Sequence, residues 1–461
     1  MITLFFYAVF PACVVPIVFG SRGAYSLGMV LTMGFLFLFT IIKPKSIYKS
    51  IIQLLKFSAV KILALYIVVL AFSLVVHAFI GTFHFGSILS FLYRTSIIIL
   101  PLFFGFYATK FFKFNAILKF YYFIIYLALI IGVVEFIIFY FDIGFLTDLY
   151  NTVNNSRQIL NNHITRAYVN DFPRIQSGFD EPAYFAYWLD SHIPLIYNLS
   201  FSKANIFKNK SLDTFIKKTF PILLWIVILG IQSPIHIIFA LIITVFYIMI
   251  EKLKISLKKI LLAASYVLPA VWGCLYYLMS ADLYGTFLFR IQMFLKTITN
   301  FNLFVFAEPS LATRIISYAN MIYVFLKHPF AGCGLGNFAE AITLQSQKSP
   351  LPYTEEYLAR QMSTKYVPTN GSILYIMLAE QGIFLTLIFF TFIFSTIKIL
   401  HNSEKLSSGV QKELFQGLKY MVVIYFCLCF YESFFQYYWM EFGLMFGFIY
   451  KLKKQTGGIC N

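Results

Sequence analysis

Long apolar segments dominate this sequence and restrict what it can fold into. Segments such as 57–80 and 371–397 run for more than 20 residues with few charges. An α-helix needs about 20 apolar residues to cross the roughly 30 Å hydrocarbon core of a bilayer. Charged residues make up only 12% of the chain, whereas soluble domains carry about 25%. The sequence is therefore typical of a membrane protein, and it excludes a soluble globule, a disordered chain and a disulfide-stabilised scaffold.

The apolar segments predict an all-α polytopic membrane protein with about 12 transmembrane helices, organised as one integral membrane domain over residues 1–461. The predicted spans are 2–19, 24–42, 57–80, 87–109, 117–141, 183–201, 217–232, 234–250, 259–279, 371–397, 418–435 and 437–450. The first segment has neither a basic leader nor a small-residue cleavage site, so it is interpreted as a retained helix. Spans 217–232 and 234–250 are short and share Pro234, which favours a tight helical hairpin.

Lysine residues mark one side of the membrane. Five connections and the C-terminal tail together contain 23 lysines and no arginine. Twelve spans place all six of these segments on the same side, with both termini. Basic residues accumulate in the cytoplasmic loops of membrane proteins, so both termini are predicted to be cytoplasmic. The net charge of +17 is spread among short loops rather than gathered on one face, which argues against binding to nucleic acid.

Two long segments, 142–182 and 280–370, fall on the opposite side, as large periplasmic loops. Loops of this length are uncommon unless they have a function, so the active site is expected there. Within the second loop, residues 312–328 predict an amphipathic helix at the membrane surface. Its apolar stripe consists of Ile315, Ala319, Ile322 and Leu326, while Arg314, Ser317 and Tyr318 lie off that stripe.

The arginines show a sidedness that the topology rule does not explain. Each of the eight lies in a predicted outer loop or, in the case of Arg94, in the outer half of a predicted span. A guanidinium group binds phosphate through two parallel hydrogen bonds, whereas an ammonium group is a hydrated point charge. The pattern predicts an anionic ligand at the outer leaflet, most simply phosphate or pyrophosphate. The alternatives are lipid headgroup anchoring, pairing with loop carboxylates and, for Arg94, a side chain that reaches the outer interface.

Three motifs follow one another through the predicted outer loops and the helices after them. They read RIQSGFDEPAYFAYWL, ATRIISY…FLKHPFAGCGLGNF and PTNGSILYIMLAEQGI. Together they resemble the bacterial O-antigen polymerase/ligase superfamily, and most of all its Wzy-type polysaccharide polymerases. Arg360 and Gly371 enclose ten residues, as in the R-x10-G pattern of the large periplasmic loops of those polymerases, whereas Arg166 and Gly178 enclose eleven.

The resemblance implies a GT-C-like fold in the bacterial inner membrane and a metal-independent glycosyltransferase without a cofactor, whose active site faces the periplasm. Donor and acceptor would be oligosaccharide repeat units on undecaprenyl pyrophosphate, polymerised into O-antigen or capsule. Membrane lipids are the other expected partners, with a chain-length regulator. Ligases of the superfamily usually place a histidine directly before the asparagine that opens the helix after the large loop. Thr369 stands there, before Asn370, which favours a polymerase.

Eight positions are predicted to form the site. Arg174, Arg314 and Glu181 are predicted as catalytic, the arginines by contacting the pyrophosphate and Glu181 by accepting a proton from the attacking hydroxyl. Contacts with the pyrophosphate or the glycan are predicted for Arg360, Arg290, Arg166, Arg94 and Gly371. Glu181 also has a purely structural interpretation, because a carboxylate at the start of a helix stabilises the helix dipole.

Two other functions stay open from the sequence. A ligase of the same superfamily would move the glycan to lipid A core or to protein. A transporter or flippase of lipid-linked sugar is favoured by polar residues within predicted spans, namely Glu135, Asp190 and the adjacent His192, since such residues line cavities and proton paths. The chain lacks the internal repeat that many transporters have, and the length of the second loop favours the enzyme.

Overall fold

A computed structural model describes residues 42–83, 85–112, 114–141, 143–146, 148, 168–169, 172–173, 175, 182–202, 205–207, 209–231, 233–255, 273, 276, 280, 292, 309–349, 372–431 and 438–456. Within these ranges the chain is helical, apart from connecting segments and the antiparallel pair of β1 (Tyr168–Val169) with β2 (Phe172–Pro173). The helices are α1 (Pro44–Leu54), α2 (Ser58–Ile80), α3 (Phe85–Phe111), α4 (Phe114–Tyr140), α5 (Pro182–Phe201), α6 (Lys210–Ile231), α7 (Pro234–Tyr247, continued by a π-helical turn, Ile248–Lys252), α8 (Pro309–Lys327), α9 (Phe338–Ser346), α10 (Ile373–Leu406), α11 (Gly409–Leu428) and α12 (Tyr438–Thr456).

Five segments of the described helices are long and apolar enough to cross a membrane. They are Ser58–Ile80, Phe85–Phe111, Tyr121–Ile138, Lys210–Ile231 and Ile373–Leu406. This agrees with the predicted class, an all-α polytopic membrane protein. The count of twelve spans and the sidedness of the loops stay predictions, because span 2–19 and almost all of 24–42 and 259–279 lie outside the described residues.

Helix α2 exposes an apolar stripe that water would not tolerate. Leu65, Val68, Phe72, Val75 and Phe79 recur every three or four residues and are 48% to 88% exposed. Residues at this spacing share one face of a helix, and the opposite face, with Tyr66 and Leu70, is buried in the bundle. An exposed apolar face on a helix of membrane-spanning length indicates contact with lipid.

Helices α3 and α12 approach each other closely. Gly443 and Gly447 are four residues apart on α12 and face α3, from which Gly105 faces them. A Cβ atom at Gly443 would overlap the backbone of Leu102, and one at Gly105 would overlap the backbone of Met440. Small residues at this spacing let two helices pack backbone to backbone, and van der Waals contact then drives their association in lipid. The G-x-x-x-G pattern thus fixes α12 against α3.

Replacement of Gly443 by leucine is expected to destabilise the protein by roughly 1–3 kcal/mol or more, because the added side chain overlaps backbone that moves only if a helix shifts. Thermal unfolding in detergent, followed by fluorescence-detected size exclusion, measures this loss. Thr391→Leu is the matched control, since Thr391 is exposed on α10. If both variants unfolded at the wild-type temperature, close packing of α3 on α12 would be excluded.

Helix α10 is interrupted at Gly382, where φ is 75°. This conformation is left-handed, and glycine adopts it readily because it has no Cβ atom. The loop between α8 and α9 docks on the interruption. The N–H of Ile383 donates to the carbonyl of Pro329 at 2.9 Å, and the N–H of Cys333 donates to the carbonyl of Ala379 at 2.8 Å. Backbone groups freed within an apolar helix are therefore satisfied by another part of the protein.

The loop that docks there carries the motif Gly332-x-Gly334-x-Gly336. All three glycines have positive φ, between 70° and 93°. A Cβ atom at Gly332 would overlap the backbone of Glu380, and one at Gly334 would lie 2.9 Å from Nδ1 of His77. The motif therefore forms a tight turn that brings the loop backbone against α10.

Helix α8 occupies the place of the amphipathic helix predicted for residues 312–328. Its predicted apolar stripe is exposed, with Ile315 at 40% and Leu326 at 63%. The other face, with Ser317 and Asn320, is fully buried, and the helix packs against α10. The buried face is mixed, because Ile316 and Met321 are buried beside Ser317 and Asn320, so helix α8 exposes an apolar stripe and buries both polar and apolar side chains.

Candidate active site

An arginine and two tyrosines from three separate segments meet near the ends of their helices. Arg314 of α8 donates hydrogen bonds from Nη1 to the hydroxyl of Tyr187, near the start of α5, at 2.9 Å, and to the hydroxyl of Tyr431, just after α11, at 2.8 Å. Its guanidinium carbon lies 5.3 Å from the centroid of the Tyr431 ring, within the range of a cation–π contact. Two hydroxyls and a ring face therefore fix the plane of the guanidinium group.

The segment that follows α11 is held in place by its neighbours. Tyr318 of α8 donates from its hydroxyl to the carbonyl of Tyr431 at 2.5 Å. Ser372, which precedes α10, donates to the carbonyl of Cys429 at 2.6 Å. The last carbonyls of a helix have no partner within the helix, and here side chains supply one. The backbone of Tyr431 is thus positioned independently of the contact between its side chain and Arg314.

A buried histidine–aspartate pair lies against the same tyrosines. His236, in the first turn of α7, is 4% exposed, and Asp190 of α5 is 1% exposed. Nδ1 of His236 lies 2.7 Å from Oδ2 of Asp190. The His236 ring contacts the ring of Tyr187 edge to face, with 4.3 Å between centroids, and lies 6.4 Å from the ring of Tyr431. His236, Asp190, Tyr187 and Tyr431 thus form one cluster with Arg314.

The contact with Asp190 determines which ring nitrogen of His236 carries the proton. When Asp190 is ionised and His236 is neutral, the carboxylate can only accept a hydrogen bond, so the Nδ1–H of the imidazole donates to Asp190. Nε2 then carries the lone pair. It is buried, and it has no hydrogen-bond partner among the residues that the structure describes. A buried polar atom without a partner costs roughly 1–3 kcal/mol, so it calls for an explanation such as a ligand, a water or a catalytic role.

A second polar network lies deeper in the bundle, next to Asp190 in the sequence. Nε2 of His192 lies 2.7 Å from the hydroxyl of Tyr121 and 3.2 Å from Oε1 of Glu441. Tyr121 donates to the same carboxylate oxygen at 3.0 Å, and Ser191 is hydrogen-bonded to the hydroxyl of Tyr438 at 2.9 Å. The polar residues of α5 are therefore joined to α4 and α12, and this network ties three helices together.

Arg94, in the first half of α3, is paired with a glutamate. Both terminal nitrogens of its guanidinium group contact the carboxylate of Glu380, with Nη2 at 2.9 Å from Oε1. The side chain of Glu380 is 1% exposed and that of Arg94 is 33% exposed. The N–H of Gly336 also donates to Oε1, at 3.2 Å. The pair neutralises the charge on both side chains, and binding of pyrophosphate by Arg94 stays a prediction.

A thiol in the docked loop lies beside this pair. Cys333 is outside the membrane-spanning segments and is buried where the loop meets α10. Burial, reinforced by the carboxylate of Glu380, raises the pKa of the Cys333 thiol to about 12. The thiolate, which is the reactive form, is therefore scarce at neutral pH, and we do not consider Cys333 a nucleophile.

Six of the eight predicted site positions lie outside the described residues: Arg166, Arg174, Glu181, Arg290, Arg360 and Gly371. Of the two that are described, Arg314 joins a cluster of polar and aromatic side chains and Arg94 pairs with Glu380. The sequence did not single out Tyr187, Tyr431 or His236. A histidine in the first turn of an apolar helix was a usable signal for His236, whereas nothing distinguishes two tyrosines among 32.

Within the described part of the chain, no three His, Cys, Asp or Glu side chains converge as a metal site requires. No model of a known protein family matches the chain, and no curated protein matches it. The resemblance to the O-antigen polymerase/ligase superfamily therefore rests on the sequence motifs.

Proposed function

We propose that the protein is a glycosyltransferase that joins oligosaccharide repeat units, carried on undecaprenyl pyrophosphate, into a surface polysaccharide such as O-antigen or capsule. It spans the bacterial inner membrane with a GT-C-like fold and both termini in the cytoplasm, and its active site faces the periplasm. The observation that carries the proposal is Arg314. Its guanidinium group has an orientation fixed by two tyrosine hydroxyls, on a helix that exposes an apolar stripe.

The chemistry requires a fixed cation near the leaving group. A hydroxyl of the acceptor sugar attacks the anomeric carbon of the donor, the bond from that carbon to the phosphate oxygen breaks, and undecaprenyl pyrophosphate leaves with the electron pair. Negative charge builds on the departing pyrophosphate, and a guanidinium group held in position stabilises it as it forms. We assign this role to Arg314, with Arg174 and Arg360 as further pyrophosphate contacts and Arg166 and Arg290 as contacts with the pyrophosphate or the glycan.

The surroundings of Arg314 suit a lipid-linked substrate. Such a substrate has an apolar tail that stays in the bilayer and a charged group at its surface. Helix α8 offers the matching arrangement, because Ile315 and Leu326 are exposed on one side and Arg314 is held on another. A chain-length regulator is a further proposed partner in the membrane, and it would act on the growing glycan without touching the reacting atoms.

A transporter of the lipid-linked sugar is the second candidate, and one observation favours it. Asp190 with His236, and His192 with Glu441, place titratable pairs inside the bundle, where proton-coupled transporters keep such groups. A cavity of about 20 Å³ adjoins Tyr121 and Glu441, and the other side chains around it are apolar. We favour the enzyme because a guanidinium group with a fixed plane serves bond cleavage at a pyrophosphate more directly than it serves proton transfer.

Deletion of the gene distinguishes the candidate functions in cells. Loss of a polymerase leaves single repeat units on the cell surface, because the units still cross the membrane and are still transferred. Loss of a ligase leaves long chains on the lipid carrier, and loss of a transporter leaves single lipid-linked units on the cytoplasmic side. Gel analysis of the surface polysaccharide and of the extracted lipid carrier measures all three. Surface chains of normal length in the deletion strain would contradict the proposal.

A further inference from the structure

We propose that His236 is a catalytic residue of the glycosyl transfer, whose Nε2 accepts the proton of the attacking acceptor hydroxyl while Asp190 positions the ring. This inference rests on the proposed function. It assigns the general base of the reaction, a role that the proposed function leaves open among the described residues. Attack by a sugar hydroxyl is faster when a side chain takes up its proton in the transition state. Histidine is the side chain most often used for this.

The state of the two ring nitrogens is the first observation behind the proposal. Nδ1 is occupied by Asp190 at 2.7 Å, which fixes both the tautomer and the orientation of the ring. Nε2, on the other side of the ring, is buried and has no partner in the described part of the chain. In serine hydrolases a carboxylate likewise holds one ring nitrogen, while the other takes up the proton of a hydroxyl.

The position of His236 relative to Arg314 is the second observation. Both contact Tyr187, since its hydroxyl accepts a hydrogen bond from Arg314 and its ring packs against the imidazole. A base and a cation are therefore placed around one tyrosine. Transfer needs them in such proximity, because the base acts on the attacking hydroxyl and the cation acts on the pyrophosphate that leaves the same carbon.

The step balances without any further reactant. The acceptor oxygen forms a bond to the anomeric carbon as the bond from that carbon to the phosphate oxygen breaks. The electron pair of the broken bond leaves with undecaprenyl pyrophosphate. The hydroxyl proton moves to Nε2 of His236, and the imidazolium that results is stabilised by the carboxylate of Asp190. Release of this proton to water or to the departing pyrophosphate returns His236 to its starting form.

The groups that face His236 determine how the rate should depend on pH. They are Asp190 and Tyr187 on α5 and Tyr431 after α11, with Arg314 of α8 behind the two tyrosines. Tyrosine and arginine side chains do not change charge in acid. A base that must be unprotonated causes the rate to fall in acid.

The experiment measures the initial rate of chain elongation by purified protein in lipid nanodiscs, with lipid-linked single repeat units as both donor and acceptor. It compares the wild type with His236→Gln, Asp190→Asn and Glu181→Gln across the pH range. Binding of a fluorescent lipid-linked repeat unit is measured separately for each protein. We expect His236→Gln to lose roughly 100- to 10,000-fold in rate, to keep its binding of the repeat, and to lack the fall in acid. The rate of Asp190→Asn should fall at least about 10-fold, with binding of the repeat unchanged. The rate of Glu181→Gln should fall less than that of His236→Gln.

The outcomes separate this inference from the proposed function. An active wild type whose His236→Gln variant elongates at the same rate, with the same fall in acid, overturns the role of His236 and leaves the enzyme intact. A folded wild type that makes no longer chains overturns the proposed function and the role of His236 with it. If His236→Gln does not fold, Asp190→Asn decides, and a wild-type rate in that variant overturns the proposal.

Discussion

Substitution of Arg314 by lysine is expected to lower the rate of polymer formation by roughly 100- to 1000-fold, the usual effect of removing one preorganised donor to developing negative charge. The charge is kept, but lysine lacks the planar fork whose Nη1 contacts Tyr187 and Tyr431, so a single mobile ammonium group replaces a fixed guanidinium group. Initial rates of elongation in nanodiscs, at equal amounts of folded protein, measure the effect.

Two further variants show whether the orientation of Arg314 matters in addition to its charge. Tyr431→Phe removes one positioning hydroxyl and keeps the ring, so it should lose about 10-fold, on the order of one neutral hydrogen bond. Lys348→Ala is the control for charge, because Lys348 is exposed after α9 and its loss should leave the rate unchanged. An Arg314→Lys protein that elongates chains at the wild-type rate would exclude the assigned role.

Replacement of Arg94 by methionine is expected to destabilise the protein by roughly 3–5 kcal/mol, because it leaves the buried carboxylate of Glu380 without its counter-ion. The N–H of Gly336 would be the remaining described donor to that carboxylate. Removal of both charges together, in Arg94→Met with Glu380→Gln, should restore most of the lost stability, since the amide of glutamine can still accept from Gly336. The temperature of unfolding in detergent measures each variant.

The cycle of single and double variants also tests what else Arg94 does. Arg94→Lys keeps the charge and should keep more stability than Arg94→Met. If Arg94→Lys unfolds at the wild-type temperature and still fails to elongate chains, Arg94 contacts the substrate in addition to pairing with Glu380. If the double variant is no more stable than Arg94→Met alone, the ion pair contributes little, and the burial of Glu380 needs another cause.

The helices were largely predictable from hydropathy, because lipid requires each span to be apolar over its whole length. The predicted spans 57–80, 183–201 and 234–250 correspond to α2, α5 and α7 within a few residues. The ends were less predictable. Helix α10 continues past the predicted end of its span, 397, to Leu406, because charged residues at a membrane surface do not stop a helix.

The apolar stripe of α8 was predictable from periodicity, and its position at the membrane surface stays a prediction. Periodicity identified the apolar stripe, including Ile315 and Leu326, and both are exposed. Periodicity is the same for a stripe that faces a protein core and for one that faces lipid. The inward direction of Arg314 follows only once the helix is packed against α10.

The site could be predicted only residue by residue, since its contacts join distant parts of the chain. Arg314 lies 127 residues from Tyr187 and 117 from Tyr431, and Arg94 lies 286 residues from Glu380. Sidedness and residue type predicted a role for each of the two arginines. Their different surroundings, tyrosine hydroxyls for one and a buried carboxylate for the other, depend on which helices pack together, and hydropathy carries no information on that.

Elongation by the purified protein alone tests the central claim most directly. Wild-type protein in nanodiscs would receive lipid-linked single repeat units and no other enzyme, and the products would be followed by mass spectrometry. The glycosyltransferase proposal predicts lipid-linked chains of two or more repeats, with one undecaprenyl pyrophosphate released for each bond formed, and roughly 100- to 1000-fold slower formation of both products with Arg314→Lys. Folded wild-type protein that leaves every repeat single and releases no undecaprenyl pyrophosphate would contradict it.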